Sequence, residues 1–259
     1  MQKFLLSLDK DQARRDLFFT QADTQDFSVF RAYNTMQEEW ESLATQFDLD
    51  AFEQRYRRGA TKGEIGCTLS HLGIYQQIAQ NDQIAPQDYV LICEDDALLA
   101  EDFQHNLNLL LQQNPKADIV LLGQSKIKQF NHIELEINFP TTFRFLSTPI
   151  EQGKYVYAYP YEPYFAGTVA YLIRKSAVCK FLDYTATQKP FWLADDFILF
   201  QQLFQMEALV VRPLLVIENP SLTSNLAEQR DVSAVNSGFM LKLAKYPLKK
   251  LLAFIRNFQ

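Results

Sequence analysis

With 259 residues, 47% hydrophobic and 22% charged, the chain has the composition of a folded protein and is long enough for one large α/β domain. A net charge of −6 argues against nucleic acid as a partner. Cys67, Cys93 and Cys179 are far apart, odd in number and without metal-knuckle or CxxC spacing, which reads as buried free thiols in a reducing compartment.

The amino end, MQKFLLSLDK, has too short an apolar stretch for a signal peptide. No stretch approaches the ~18 apolar residues that span a bilayer, so a cytoplasmic location is expected. Phe4 to Leu8 reads as a first strand, followed by a charged turn and a short helix from about Gln12 to Phe19. Phe27 to Ala32 reads as a second strand, and 38–58 as mixed helix and loop. Thr61 and Glu64 have the spacing of a capping box. After them Ile65, Leu69, Leu72, Tyr75, Ile78 and Ala79 recur at helical spacing. The apolar run Tyr89 to Cys93 is too short for an ordinary helix and predicts a buried parallel strand.

A helix around Phe103 to Leu111 and a strand from Asp118 to Leu122 follow. Residues 124–163, with Pro140, Pro149, Pro160, Pro163 and several aromatic runs, look like an insertion carrying short antiparallel strands. Gly167 to Ile173 reads as a strand and Lys175 to Tyr184 as a helix. Asp195-Asp196 opens an apolar helix to about Met206, and Leu209 to Val211 and Leu214 to Ile217 are the last strands. One domain over 1–231 is thus expected, followed by a tail, 232–259. In that tail Lys242, Lys245, Lys249, Lys250 and Arg256 alternate with large apolar residues. A basic amphipathic segment predicts attachment to an anionic membrane surface, here the cytoplasmic face of the inner membrane, at ~1 kcal/mol per basic residue. Docking on the domain is the alternative.

Glu94-Asp95-Asp96 follows the Tyr89–Cys93 strand directly. Ligands of open α/β sheets lie beyond the carboxyl ends of the strands, and a run of acids there repels itself unless a positive charge is among it. Carboxylate oxygens suit Mg²⁺ or Mn²⁺, commonly shared with substrate phosphates. An acidic turn opening a helix is the plainer reading. Ser7, Arg14 and Arg15 lie at and after the first strand, and arginine forks suit phosphate oxygens. Adjacent helical residues diverge, so one arginine is expected to reach a ligand. Asp195 and Asp196 offer a base for an acceptor hydroxyl, or a helix cap. Together these groups suit a nucleotide sugar: a divalent cation balances the leaving diphosphate while a carboxylate across the cleft deprotonates the acceptor. His71, beside Ser70 on a helix and without an elbow motif, reads as structural or acceptor-side.

The string GEIGCTLSH, Gly63 to His71, with CEDD at Cys93 to Asp96, resembles glycosyltransferase family 25, the bacterial lipopolysaccharide and lipooligosaccharide sugar transferases. LSLDKDQARRDLF near the start, GTVAYLIRKSAVCKFL from Gly167, Asp195-Asp196 and PLLVIENPS from Pro213 add to the resemblance, which covers most of residues 1–225. It implies a GT-A-like nucleotide-diphosphosugar transferase fold, a mixed, mostly parallel central sheet flanked by helices. It also implies Mn²⁺ or Mg²⁺ at the acidic motif. The implied reaction moves galactose or glucose from a UDP-sugar to a lipid-linked oligosaccharide acceptor, with inversion and a β linkage. Carried over by motif, Glu94 and Asp96 are the metal pair, a variant of the usual D-x-D. Ser7, Arg14, Arg15, Glu94 and Asp95 face the donor, Asp195 and Asp196 are catalytic, and His71, Gly167 and Thr168 are acceptor-side or structural. Folds of this kind commonly add a late histidine ligand; His71, His105 and His132 are not late, which leaves Asn219 or water for that place. A metal-dependent phosphoryl or phosphodiester hydrolase, and a catalytically silent nucleotide-sugar-binding protein, are the alternative functions.

Overall fold

The computed structural model describes residues 1–132, 135, 138–150, 153–161, 167–222 and 251. The expected tail at 232–259 lies outside these residues apart from Leu251. In chain order the elements are β1 (Lys3–Ser7), α1 (Gln12–Phe19), β2 (Ser28–Arg31), α2 (Trp40–Gln46), α3 (Leu49–Tyr56), α4 (Lys62–Gln80), β3 (Tyr89–Glu94), β4 (Ala97–Leu99) and α5 (Phe103–Gln112). Then come β5 (Ile119–Leu121), β6 (Gly123–Gln124), β7 (Thr148–Ile150), β8 (Tyr155–Ala158), β9 (Ala170–Arg174), α6 (Lys175–Thr185), α7 (Phe197–Phe204), β10 (Ala208–Arg212) and β11 (Val216–Glu218). Among the described residues, no helix is long and apolar enough to cross a membrane.

An 8-stranded sheet of order β2-β1-β3-β9-β5-β10-β8-β7 forms the centre. β1 runs parallel to β2 and β3, and β5 parallel to β10, whereas β9 lies antiparallel between β3 and β5, and β8 antiparallel to β10 and β7. The sheet is mixed, as expected, but not mostly parallel in its pairings: with β8 and β9 reversed, three neighbouring pairs run parallel and four antiparallel. The insertion supplies the β7–β8 hairpin, as the alternation of short apolar runs and prolines implied.

Side chains alternate across a strand, and the two faces of the sheet bury separate cores. Phe4, Leu6, Val90, Ile92, Tyr171 and Ile173 face α4, α6 and α7. Leu5, Leu91, Cys93, Val120 and Leu172 face the opposite way, with Phe18 of α1 and Phe103 and Leu107 of α5. The parity of β3 continues into the acids: Glu94 shares the face of Val90 and Ile92, toward α4. A second, 3-stranded sheet, β4-β11-β6, was not anticipated. β4 is only three residues long and has no period of its own to read. It leads the chain after Asp96 out of the main sheet and pairs antiparallel with β11. The acidic triplet is therefore a corner between two sheets, not a loop running straight into α5.

α4 opens with the expected capping box, Thr61 and Glu64 each bonding the other's backbone N–H. Arg58 grips the buried Glu64 carboxylate through both terminal nitrogens, at 2.6 and 2.8 Å. The helix is buried on several faces, so each turn packs against something different. On one face a Cβ at Gly66 would stand 2.5 Å from Thr35 Oγ1 and 2.9 Å from the Tyr33 carbonyl. Ser70 on the same face accepts the Tyr33 N–H at 2.9 Å. On another face Thr68 donates to the Trp192 carbonyl at 2.7 Å, bringing the 192–196 loop to the helix. Gly66→Ala is expected to destabilise the protein by about 1–3 kcal/mol through overpacking. Denaturant unfolding measures it, and an unchanged midpoint would show that the 33–35 segment yields freely.

Candidate active site

Arg14 is the positive charge within the acidic triplet. From the first turn of α1 its Nε donates to Asp95 Oδ1 at 2.6 Å and its Nη2 to Asp96 Oδ2 at 2.9 Å. All three side chains are largely enclosed, at 13%, 8% and 12% exposure. Ser7, at the end of β1, donates to Asp95 Oδ2 at 2.6 Å. Arg15 turns elsewhere, as helical geometry requires: it bonds Ser7 Oγ, the carbonyls of Leu8 and Asp9, and Gln12 Oε1. Ser7 and Arg15, expected to face a donor, both make internal bonds here. Ser7 is an internal brace for Asp95, and Arg15 ties down the loop after β1. Arg14 does reach the acidic corner, but its fork is engaged with carboxylates.

The remaining sides of the corner come from later segments. Thr168 Oγ1 donates to Glu94 Oε1, and the Glu94 N–H bonds the Val169 carbonyl at 3.0 Å. Gly167 precedes them at φ +72°, where a Cβ would collide with Ser125 at 1.8 Å from its Oγ. Gly167 and Thr168 are therefore structural supports of Glu94. The end of β11 adds Asn219, whose N–H bonds the Asp96 carbonyl at 2.6 Å, so the contact made by the expected spare ligand runs through its backbone. It also adds Glu218, which accepts the Lys126 N–H at 2.9 Å and whose charge bears on both Glu94 and Asp96. Sequence reasoning missed Glu218. The available signal was an acid ending the last strand, in the IENPS stretch already singled out.

Burial first, and then the charge of Asp96, push the Glu94 carboxyl up to about 8. Burial, with Glu218 and Asp95 and against the opposing pull of Arg14, pushes Asp96 up to about 6. Asp96 Oδ1 has no hydrogen-bond partner among the described residues. The donor atoms are of the kind a hard divalent cation takes: they are carboxylate oxygens, one is unpaired, and added positive charge would relieve the crowding that holds protons on them.

The second acidic pair divides. Asp196 is fully buried and caps α7, accepting Leu199 N–H at 2.9 Å. It also accepts Arg55 Nε at 3.1 Å and Tyr56 Oη–H at 2.7 Å. Enclosed and surrounded by donors, it caps the helix, the plainer of the two roles expected of this pair. Asp195 beside it is only partly buried. His71 is 3% exposed and its Nδ1 bonds Tyr171 Oη at 2.7 Å; burial lowers its pKa to about 4, so the ring is neutral near pH 7.

Two outcomes test this geometry. Because the pKa values of Glu94 and Asp96 are raised, the stability they contribute is full below their unfolded values near 4 and is lost as pH rises through about 6 and then 8. In chelator-treated protein, Glu94→Gln should therefore gain Tm on the wild type progressively between about pH 5 and pH 8. A pH-independent difference would contradict the raised value. Asp196→Ala removes a cap and leaves Arg55 without its carboxylate, which should cost about 2–4 kcal/mol in denaturant unfolding. A loss below about 0.5 kcal/mol, the low end for a cap alone, would count against the structural role.

No curated protein sequence matches the chain significantly. Similar solved structures are remote. They include the inositol-1-phosphate CTP transferase from T. maritima, at 11% identity and TM-score 0.37 over 88% of this chain and 93% of that one. A putative glucose-1-phosphate thymidylyltransferase from Bacillus anthracis has 12% identity and TM-score 0.31 over 73% and 76%. Galactosyltransferase LgtC, in complex with donor and acceptor sugar analogs, has 13% identity and TM-score 0.32 over 77% and 69%. At these scores the likenesses say nothing of what this chain acts on. The sequence match is stronger: the family model described as glycosyltransferase family 25 (LPS biosynthesis protein) covers residues 1–199, from β1 through the acidic corner to the start of α7. The chain belongs to glycosyltransferase family 25.

Proposed function

We propose that the protein transfers a hexose, galactose or glucose, from a UDP-sugar to a lipid-linked oligosaccharide acceptor of lipooligosaccharide or lipopolysaccharide assembly, inverting the anomeric centre to a β linkage. The carrying observation is the corner itself. It gathers Glu94, Asp95, Asp96 and Glu218 at the carboxyl end of a central strand, around one guanidinium, in a family of glycosyl transferases. Family membership also favours glycosyl transfer over the phosphodiester hydrolysis that acids alone left open.

In this reading Asp96 and Glu94 would hold Mn²⁺ or Mg²⁺, which when bound supplies positive charge opposite the leaving diphosphate. Arg14 fixes Asp95 and one oxygen of Asp96, which leaves Oδ1 of Asp96 as the atom presented to a ligand. The acceptor oxygen forms its bond to the anomeric carbon as the bond from that carbon to the UDP oxygen breaks. Asp195, the accessible member of its pair, takes the acceptor's proton. The basic tail would hold the enzyme at the membrane surface where lipid-linked acceptors reside.

The test is a panel of UDP-sugars followed for divalent-cation-dependent UDP release, with UDP binding measured separately. Asp96→Asn should remove the cation-dependent part of UDP affinity. Asp195→Asn should keep UDP affinity and lower transfer by about 10²–10⁴-fold, the usual worth of a positioned base. Unchanged cation-dependent UDP affinity in Asp96→Asn would place the cation elsewhere, and wild-type transfer by Asp195→Asn would place the base elsewhere. UDP binding without turnover on any sugar would favour the silent-binder alternative.

A further inference from the structure

Behind the acidic corner, on the α4 side of the sheet, lies a second donor set of different chemistry. Cys67 and His71 are four residues apart on α4, so they project from the same face one turn apart. The parity of β3 turns Glu94 toward that face. One ligand atom each from Cys67, His71 and Glu94 lies within 4.8 Å of the others. Tetrahedral zinc, with bonds of about 2.0–2.3 Å, holds its ligands roughly 3.3–3.8 Å apart, so closing the set takes about 1 Å of side-chain movement.

The independent pointer is His71. Its ring is 3% exposed, and Nε2 has no hydrogen-bond partner among the described residues. That nitrogen stands 4.0 Å from Glu94 Oε1, too far for a hydrogen bond but aimed into the set. An unsatisfied buried nitrogen is costly, and an ion is one of the few things that explains one. The other side of the ring is fixed: Nδ1 bonds Tyr171 Oη at 2.7 Å, and Tyr171 Oη bonds Tyr75 Oη at 2.9 Å. Metal-ligating histidines are oriented by such a partner on the far nitrogen. Cys67 is only partly buried, which leaves a route in.

We propose that Cys67, His71 and Glu94 form a binding site for a borderline-soft divalent cation of the Zn²⁺ class. Thiolate and imidazole select such an ion over the hard cations suited to Glu94 and Asp96. Three protein ligands leave a fourth position for water. Binding converts the Cys67 thiol to a thiolate, with its proton released to solvent. This goes beyond the transferase reading and does not depend on it, although Glu94 is common to both sets.

The experiment uses the full chain, reduced and stripped with chelator. Zn²⁺ affinity is measured by competition with a chromophoric chelator, and Co²⁺ serves as the optical probe. One equivalent of Co²⁺ should give a thiolate-to-cobalt charge-transfer band that Zn²⁺ abolishes. Partners outside the coordination shell are worth about 10–100-fold in affinity, so Cys67→Ser, nearly isosteric and at a partly exposed position, should lose the band and weaken Zn²⁺ by about 100-fold or more. Tyr171→Phe, which frees the ring without touching a ligand, should keep the band and weaken Zn²⁺ by about 10-fold. Asp96→Asn, which destroys only the all-oxygen pair, should leave the band in place. Absence of a stoichiometric band in the wild type overturns the proposal, as does a band that persists in Cys67→Ser and so arises from Cys93 or Cys179. Neither result bears on UDP-sugar turnover, so the two readings stand or fall separately.

Discussion

A single guanidinium makes the acidic corner possible. Two like charges about 4 Å apart repel by about 4 kcal/mol at an effective dielectric near 20, and here three carboxylates follow one another with a fourth, Glu218, close by. Arg14 meets two of them with a forked, charge-assisted pair of bonds, and Ser7 adds a third donor to Asp95. Since Arg14 rides on α1 and Ser7 ends β1, the first β–α unit of the chain is a structural component of a site whose acids arrive eighty residues later in the sequence. The position of α1 on the sheet is tied to that contact.

Neutralisation of the corner is incomplete. One guanidinium cannot balance four carboxylates, and burial makes the excess worse. Glu94 and Asp96 respond by holding protons beyond the ordinary carboxylate range. Such a corner lowers the stability of the unliganded fold above neutral pH and favours whatever brings positive charge. Perturbed carboxylates of this kind cluster at functional sites, and occur in structural ion-pair networks as well.

Around that corner the fold is rigid for identifiable reasons. α4 is pinned at its start by the capping box and the Arg58–Glu64 pair, and along its length by close backbone approach at Gly66 and by the Thr68 bond to Trp192. That last contact brings the 192–196 loop, with Asp195 on it and the Asp196 cap behind it, against the helix that carries Cys67 and His71. The central sheet and the small β4-β11-β6 sheet meet at this corner, and the middle of α4 passes beside it at His71.

Much of this was legible in the residues themselves. Local periodicity marks β1, α1, β3, α4, α5, α6 and α7, because a strand or helix that buries one face or all of its faces writes that burial into its own spacing. The capping box, the acid-tipped strand and the divergence of Arg14 from Arg15 follow from geometry within a few residues. What required the tertiary structure is everything set by contacts between distant segments. The reversed direction of β9, the three-residue β4, the arrival of Glu218, the bond from Ser7 to Asp95 and the donors gathered around Asp196 all depend on which partner meets a side chain across the fold. A carboxylate's neighbours decide whether it caps, binds or reacts, and residues more than a turn apart in sequence become neighbours only when the sheet closes.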